Sequence, residues 1–394
     1  MEDFKKLDDV LKNFVQKWFN TSRYSMRYQN RQLSECGDIV VKLIEPQRID
    51  TADFAVQSLV EESIEWKLPL ENIKMFSSSI AFHLKREYVF RYCIEKALDH
   101  KLGFGDEPSS EISVISDVDE ISSDNFNMTD FRLSTVQKVV KNLLDFGGFK
   151  MIHPTENPTL IISIVRNRNK EFNAFELVCG PVTSQFINAK DYVKKRANDM
   201  QLIAQHKYGI RVRDHRHFQE TIASLGRSAA IVDMLESKAS SPVDMRKDKY
   251  QSSKGASFIL YNYARLSVIF ETLSEKQKIG YYPELPSLED IDFSRLEEED
   301  EWHLFWVYVA GFPNMVKQAL GDGQLERLSP HLVLAFTSGL VICLSKYYRR
   351  IRILTENRDH LLSTMFARIY MLKSVYYVLS TLLNMLDLEA VTQM

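Results

Sequence analysis

The strongest constraint on the fold is the amphipathic pattern of residues 330–394. In its first half, apolar residues recur at the spacing of one helix face, and cations lie on the opposite side. The apolar positions are Leu334, Leu340, Val341, Leu344, Tyr348 and Ile351. The cations are Lys346, Arg349, Arg350 and Arg352. The pattern predicts two long helices, joined by a short polar turn, that pack in a bundle and offer cations and aromatic rings to RNA.

Length and charge set wider limits. A chain of 394 residues with 45% apolar residues is long enough for two or three domains with real cores. Its net charge of −3 is unusual for an RNA-binding protein, but residues 106–124 hold seven carboxylates and no Lys or Arg. The remainder is slightly basic, so the net charge does not exclude RNA binding.

Cysteine usage and hydropathy indicate the cellular compartment. The four cysteines are scattered, with no CxxC pair and no His at ligand spacing, which favours neither a disulfide scaffold nor a zinc site. The longest apolar run, residues 332–344, is too short to span a bilayer, and the N-terminus lacks the apolar stretch of a signal peptide. We therefore expect a cytoplasmic protein, with neither a membrane nor DNA as a partner.

Four consecutive segments are predicted. Residues 1–104 read as a small α+β domain, with helices at 4–19 and 85–98 and strands at 39–44 and 80–84. Residues 105–129 read as an acidic linker, because this Ser-rich stretch has few apolar side chains to bury.

The C-terminal two thirds change character twice. Residues 130–249 alternate helix, strand, strand and helix, which predicts a truncated Rossmann-like segment. Residues 250–394 read as an all-helical bundle interrupted by a Pro-rich loop at 281–286. The predicted fold class is mixed α/β and all-α.

The helical part resembles a known RNA-binding domain. Residues 330–331, 344–354, 367–368 and Met394 are similar to the DALR anticodon-binding domain of arginyl-tRNA synthetases, and residues 255–266 resemble the helix that opens that domain. The N-terminal segment resembles the additional domain of those synthetases, which contacts the tRNA elbow. A generic small α+β domain is an equally open reading of that segment.

A second resemblance is closer. Residues 177–182, 253–255, 282–283 and 292–294 are similar to the DALR anticodon-binding-domain-containing protein 3 family. This resemblance implies a tRNA-binding subunit that brings particular arginine tRNAs to a tRNA 3-methylcytosine methyltransferase. The alternatives are a diverged arginyl-tRNA synthetase-like enzyme with residual ATP-dependent aminoacylation, and an interaction protein that does not bind RNA.

The catalytic signatures of a synthetase are missing. Residues 134–149 resemble the helix after the HIGH signature, which places the HIGH positions on Asn127, Met128, Thr129 and Asp130, without a histidine. The KMSKS position falls on residues 182–187, which contain no lysine. Because these signatures stabilise the transferring phosphates, we expect a pseudo-enzyme with no catalytic residues and no cofactor.

No metal site is expected either. His215 and His217 have a spacing that suits a metal, but the surrounding arginines disfavour a dication, and a basic surface segment is the favoured reading.

The resemblance also assigns candidate RNA-binding residues. Arg265 matches the arginine that faces the anticodon loop in the synthetases, although a helix-surface cation paired with Glu271 is the alternative. Phe258 stands where the family has a tyrosine. The remaining candidates are Tyr261, Tyr348, Lys346, Arg349, Arg350, Arg352 and Met394. Met394 matches a methionine that borders the anticodon pocket, and the four cations form a possible phosphate track or an ordinary solvated helix face.

Overall fold

A computed structural model describes residues 2–19, 23–44, 52–102, 110–118, 126–168, 174–186, 188–208, 216–246 and 255–390. The chain divides into two compact units, each assembled from three stretches. Unit 1 contains residues 1–102, 275–313 and 346–377, and unit 2 contains residues 103–274, 314–345 and 378–394. The segments predicted from the sequence are consecutive, and their boundaries stay predictions.

The N-terminal part of unit 1 is an antiparallel sheet with helices. Its elements are α1 (Glu2–Phe19), β1 (Tyr24–Tyr28), α2 (Leu33–Cys36), β2 (Ile39–Leu43), α3 (Ala52–Glu62), β3 (Leu70–Met75), β4 (Ser79–Leu84) and α4 (Arg86–Leu98). The strand order is β1-β2-β4-β3, with every neighbour antiparallel. The predicted helices and strands of this segment are confirmed.

The burial patterns of α1 and β2 show why these elements could be predicted from the sequence. Helix α1 buries Phe4, Leu7, Leu11 and Phe14, which recur at helical spacing. Strand β2 buries alternate residues, as expected for a strand with one face on the core.

Unit 2 is built on a parallel sheet. Its elements up to the helical region are β5 (Glu111–Ser116), α5 (Met128–Phe146), β6 (Lys150–Met151), β7 (Leu160–Val165), β8 (Phe175–Val178), β9 (Val182–Thr183), α6 (Ala189–Tyr208), α7 (Arg216–Leu235) and β10 (Val243–Asp244). The main sheet has the order β6-β5-β7-β8, and all its pairs are parallel. Helix α5 connects the parallel strands β5 and β6, and the parallel sheet with its helices confirms the predicted mixed α/β character of this part of the chain.

The linker prediction is wrong for residues 111–116. These residues form β5, an inner strand that pairs with both β6 and β7. Ile112, Ser113 and Val114 are buried, so the strand contributes to the core. Helix α5 also begins at Met128, before the predicted end of the linker. The rest of the predicted linker that precedes Phe126 lies largely outside the described residues.

The remaining chain is helical, as predicted. It contains α8 (Ala256–Lys278), α9 (Glu299–Phe305), α10 (Phe312–Ala319), α11 (His331–Arg350) and α12 (Asp359–Met385). The two long helices predicted for residues 330–394 are therefore confirmed as α11 and α12. Within the described ranges α11 is the one helix long and apolar enough to cross a membrane, although Leu340, Val341 and Leu344 on it are buried inside the protein.

Candidate nucleic-acid interface and candidate nucleotide site

Helix α8 carries a half-exposed stripe in unit 2. Phe258, Tyr261 and Arg265 lie at i, i+3 and i+7, which places them on one helix face. All three side chains are partly buried, whereas Leu260 and Ala264 belong to the core. The stripe therefore combines two aromatic rings and a guanidinium, the groups that stack on unpaired bases and bind phosphates. Their role in RNA binding stays a prediction.

The predicted cation track lies in unit 1, at the end of α11 and directly after it. All four of its side chains are exposed, Lys346, Arg349, Arg350 and Arg352. Arg350 Nη1 lies 2.6 Å from Asp300 Oδ2, and Arg352 Nε donates to the carbonyl of Leu354 at 3.1 Å. Arg350 and Arg352 thus have structural partners, which favours the helix-surface reading for part of the track.

The two neighbouring tyrosines of α11 have different environments. Tyr347 is completely buried, and Tyr348 is half-buried. The sequence pattern placed Tyr348 on the apolar face of α11, but the tyrosine buried on that face is Tyr347. Burial raises the pKa of the Tyr347 hydroxyl well above its ordinary value. Tyr348 therefore keeps a partly exposed ring.

Sequence reasoning missed a buried polar network behind these helices. Glu301 of α9 is completely buried, and its Oε1 accepts from Arg368 Nε of α12 at 2.7 Å and from Tyr347 Oη at 3.2 Å. The other oxygen accepts from the backbone N–H of Glu298 at 3.1 Å, within a capping box that starts α9. The network ties three helical segments of unit 1 together. A sequence signal was present only in the Glu298-to-Glu301 capping spacing.

A cavity in unit 2 lies at the residues that the sequence resemblance assigns to the HIGH and KMSKS positions. Its volume is about 360 Å³, and it lies at the N-terminus of α5. The lining residues are Asn127, Met128, Thr129, Arg166, Val182, Ser184 and Phe186. They include the first three predicted HIGH positions and three residues from the predicted KMSKS position, Val182, Ser184 and Phe186.

The chemistry of this cavity does not suit a triphosphate. A helix N-terminus ordinarily offers its N–H groups to phosphate, but Asn127 Oδ1 accepts from the N–H groups of Thr129 and Asp130 at 2.9 and 3.0 Å. Arg166, the one cation among the lining residues, forms an ion pair with Asp130. Lys190, Lys194 and Lys195 lie on helix α6 rather than on a loop, as predicted.

Two further predictions lie outside the described residues. Met394 belongs to residues 391–394, and His215 belongs to residues 209–215. His217 lies in α7, where its side chain is not described.

Comparisons with known proteins decide the assignment of the helical region. Residues 259–394 match the family model for the DALR anticodon binding domain, and this range contains most of α8 and all of α9–α12. The chain carries a DALR anticodon-binding domain. Its candidate residues Tyr261, Arg265 and Tyr348 lie inside the matched range, and Phe258 immediately precedes it.

Relatives support the same assignment over part of the chain. Over 231 residues, or 55% of this chain, the sequence is 30% identical to DALR anticodon-binding domain-containing protein 3 of Danio rerio, of which the match covers 41%. It is also 26% identical over 180 residues to an arginine–tRNA ligase of Geotalea daltonii, covering 45% of this chain and 29% of that protein. The chain spans about two fifths of the length of the DALR relatives it matches.

The whole chain shares its fold with a solved synthetase. The Thermus thermophilus arginyl-tRNA synthetase superposes with a TM-score of 0.67, covering 99% of this chain and 100% of that chain at 10% sequence identity. The DALR-domain chain therefore has an arginyl-tRNA synthetase-like fold: mixed α/β with a C-terminal helical domain. At this identity the likeness concerns the fold alone.

Proposed function

We propose that this chain is a non-catalytic, cytoplasmic tRNA-binding adaptor. It recognises arginine tRNAs and presents them to a tRNA 3-methylcytosine methyltransferase that acts in the anticodon loop. The observation that carries the proposal is the DALR anticodon-binding domain at residues 259–394. The partner enzyme follows from the resemblance of residues 177–182 and 282–283 to the protein 3 family.

The candidate nucleotide site supports the non-catalytic part of the proposal. Its helix N-terminus is capped by Asn127, and its lining cation is neutralised by Asp130. Phosphoryl chemistry depends on donors and cations aimed at the transferring phosphates. A cavity whose donors are already engaged within the protein lacks that capacity.

The alternative is a diverged synthetase that retains some aminoacylation. The observation that favours this alternative is the 360 Å³ cavity at the N-terminus of α5. We expect the purified chain to show no arginine-dependent exchange of pyrophosphate into ATP, with or without arginine tRNA. A functional arginyl-tRNA synthetase assayed in parallel is the positive control. Exchange above background that disappears in Arg166→Ala would overturn the non-catalytic proposal.

Recognition of arginine tRNAs is predicted to depend on Arg265. Replacing it by alanine removes a guanidinium from the α8 stripe, which we expect to reduce the preference for arginine tRNAs by about 1–3 kcal/mol. Competition binding of labelled arginine tRNA against non-arginine tRNA measures this preference. Lys278→Ala, an exposed cation of the same helix, is the matched control and should leave it unchanged. An Arg265→Ala variant with unaltered preference and unaltered circular dichroism would identify Arg265 as a structural cation.

A further inference from the structure

A second cavity of unit 2 is distinct from the candidate nucleotide site. It has a volume of about 310 Å³ and lies among α5, α6 and α7. Its floor is apolar, formed by Phe126, Phe131, Ala189, Val193 and Ile231. Its rim carries four cations, Lys138, Lys190, Lys194 and Arg227, and a single carboxylate, Asp387. We call this site the cationic cleft.

The floor of the cationic cleft is firmly supported. Phe126 and Ala189 belong to a core cluster with Tyr192 of α6, and Phe131 and Val193 pack against it. Behind the cleft, Asp233 of α7 accepts from Tyr192 Oη at 2.6 Å and pairs with Arg196 Nε at 3.0 Å. Burial raises the pKa of Asp233 to about 7. These contacts fix α6 against α7, so the cavity is preformed, as binding pockets generally are.

The protein itself shows what the rim accepts. After α12, the sequence 386–389 reads Leu-Asp-Leu-Glu, with both leucines buried. Asp387 lies 2.7 Å from Lys138 Nζ and 2.7 Å from Arg227 Nη2, and Glu389 accepts a hydrogen bond from Ser224 Oγ. An alternating acidic and apolar segment is therefore already seated on one side of the cleft. Lys190 and Lys194, both exposed on α6, lie on the rim together with these two cations.

The apolar floor argues against RNA as the occupant. A nucleobase pushed into the cavity would place its polar edges against apolar side chains, and buried polar groups without partners are costly. Thr135, one of two hydroxyl residues in the lining, already donates to the carbonyl of Phe131 at 2.7 Å. An apolar side chain has no such requirement. An apolar anchor surrounded by charges is also the usual anatomy of a protein–protein contact.

We propose that the cationic cleft docks an acidic–apolar segment of a protein partner. One large apolar side chain fills the cavity, and neighbouring carboxylates pair with Lys190 and Lys194. The pairing of carboxylates with the rim repeats the way in which Asp387 and Glu389 meet α5 and α7. Only the identity of the partner, the tRNA methyltransferase, rests on the proposed function.

The first test uses a probe that is independent of that identity. A fluorescein-labelled synthetic peptide of Leu-Asp-Leu-Glu repeats is titrated with the full chain and followed by anisotropy. We expect saturable binding that weakens with salt, because the carboxylates contact exposed lysines. Peptides with serine in place of leucine, or with Asn and Gln in place of the acids, should bind about tenfold more weakly or worse. Absence of binding, or equal binding by the substituted peptides, overturns the proposal.

Variants of the protein locate the peptide. Lys190→Glu/Lys194→Glu should raise the peptide Kd about tenfold or more, because two attractions become repulsions. Val193→Asp should have a similar effect by placing a charge in the floor. The matched control is Lys278→Glu/Lys317→Glu, which reverses two exposed lysines that do not line the cleft. Circular dichroism confirms the fold of each variant, and an unchanged peptide Kd in both cleft variants contradicts the proposal.

The same variants separate this inference from its alternatives. If Lys190→Glu/Lys194→Glu lowers affinity for arginine tRNA but not for the peptide, the cleft is an RNA site and the docking proposal fails. If the peptide binds as expected but a purified tRNA 3-methylcytosine methyltransferase does not bind the full chain, the docking mode stands and the proposed adaptor function fails. If the enzyme binds the wild type and not the cleft variant, both are supported.

Discussion

Replacing Arg132 by methionine is expected to lower the free energy of unfolding by about 3–5 kcal/mol. Arg132 is completely buried in α5, and its guanidinium donates to four backbone carbonyls and one hydroxyl. The carbonyls belong to Met234, Gly180, Ser241 and Lys238, and the hydroxyl to Ser237. Methionine fills a similar space but donates nothing, so several buried acceptors lose their partners together.

Chemical denaturation followed by circular dichroism measures this loss. Arg246→Met is the control, because Arg246 is an exposed arginine of the same unit that pairs with nearby Asp244 on the surface. It should leave the denaturation midpoint unchanged. An Arg132→Met variant as stable as the wild type would mean that water or local rearrangement satisfies the four carbonyls.

Gly180 adds a steric constraint to the segments that Arg132 holds together. A Cβ atom at this position would lie 2.7 Å from the backbone carbonyl group of Ser241 and 2.8 Å from the carbonyl oxygen of Ser240. The chain after β8 therefore approaches the segment after α7 too closely for a side chain, and Arg132 holds both segments. This anchoring lies directly before β9, whose Val182 lines the candidate nucleotide site.

Regular periodicity made most elements predictable. Helix α1 and strand β2 each bury one face, so their patterns repeat at the periods of 3.6 and 2 residues. Helices α11 and α12 were predictable for the same reason. Their resemblance to the DALR domain added the proposed function, which periodicity alone does not supply.

Strand β5 was not predicted because the residues around it are acidic. The segment 106–124 is acidic on average, and that average conceals Ile112, Val114 and Ile115. The strand also buries Ser113, because both sides of an inner parallel strand are covered. A buried serine has no signature in the sequence, so composition favoured a linker where the fold has a strand.

The candidate site shows a second limit of prediction from sequence, the choice of the buried helix face. Neighbouring positions on a helix point about 100° apart. A small error in the predicted orientation of the helix is therefore enough to take Tyr348 for the buried tyrosine instead of Tyr347. The face is set by Glu301, which accepts from Tyr347 Oη and lies 46 residues away in the sequence. The buried role of Arg132 was equally invisible, because its acceptors are backbone carbonyls of distant segments. Partners of this kind leave no local pattern.

Replacing Arg368 by methionine is the second substitution expected to have a large effect. Arg368 belongs to the pair 367–368 that carries part of the DALR resemblance, yet its Nε bonds the completely buried carboxylate of Glu301 at 2.7 Å. Removing the guanidinium leaves that carboxylate without its cation. Breaking a buried ion pair in this way costs about 3–5 kcal/mol, which we expect as a loss in the free energy of unfolding.

A double variant distinguishes an uncompensated charge from lost packing. Glu301→Gln/Arg368→Met removes both charges and keeps one amide oxygen as an acceptor, either for Tyr347 Oη or for the N–H of Glu298, which bond different oxygens of Glu301. It should be more stable than Arg368→Met alone by about 1–3 kcal/mol, because an amide is less costly to bury than a carboxylate. Equal stability of the two variants would assign the loss to packing of the arginine stem.

Binding of arginine tRNA tests whether Arg368 also contacts RNA. Measured under conditions in which Arg368→Met is still folded, the affinity should stay close to that of the wild type, because Arg368 acts by holding α9, α11 and α12 together. A selective loss of tRNA affinity in that folded variant would instead make Arg368 an RNA contact.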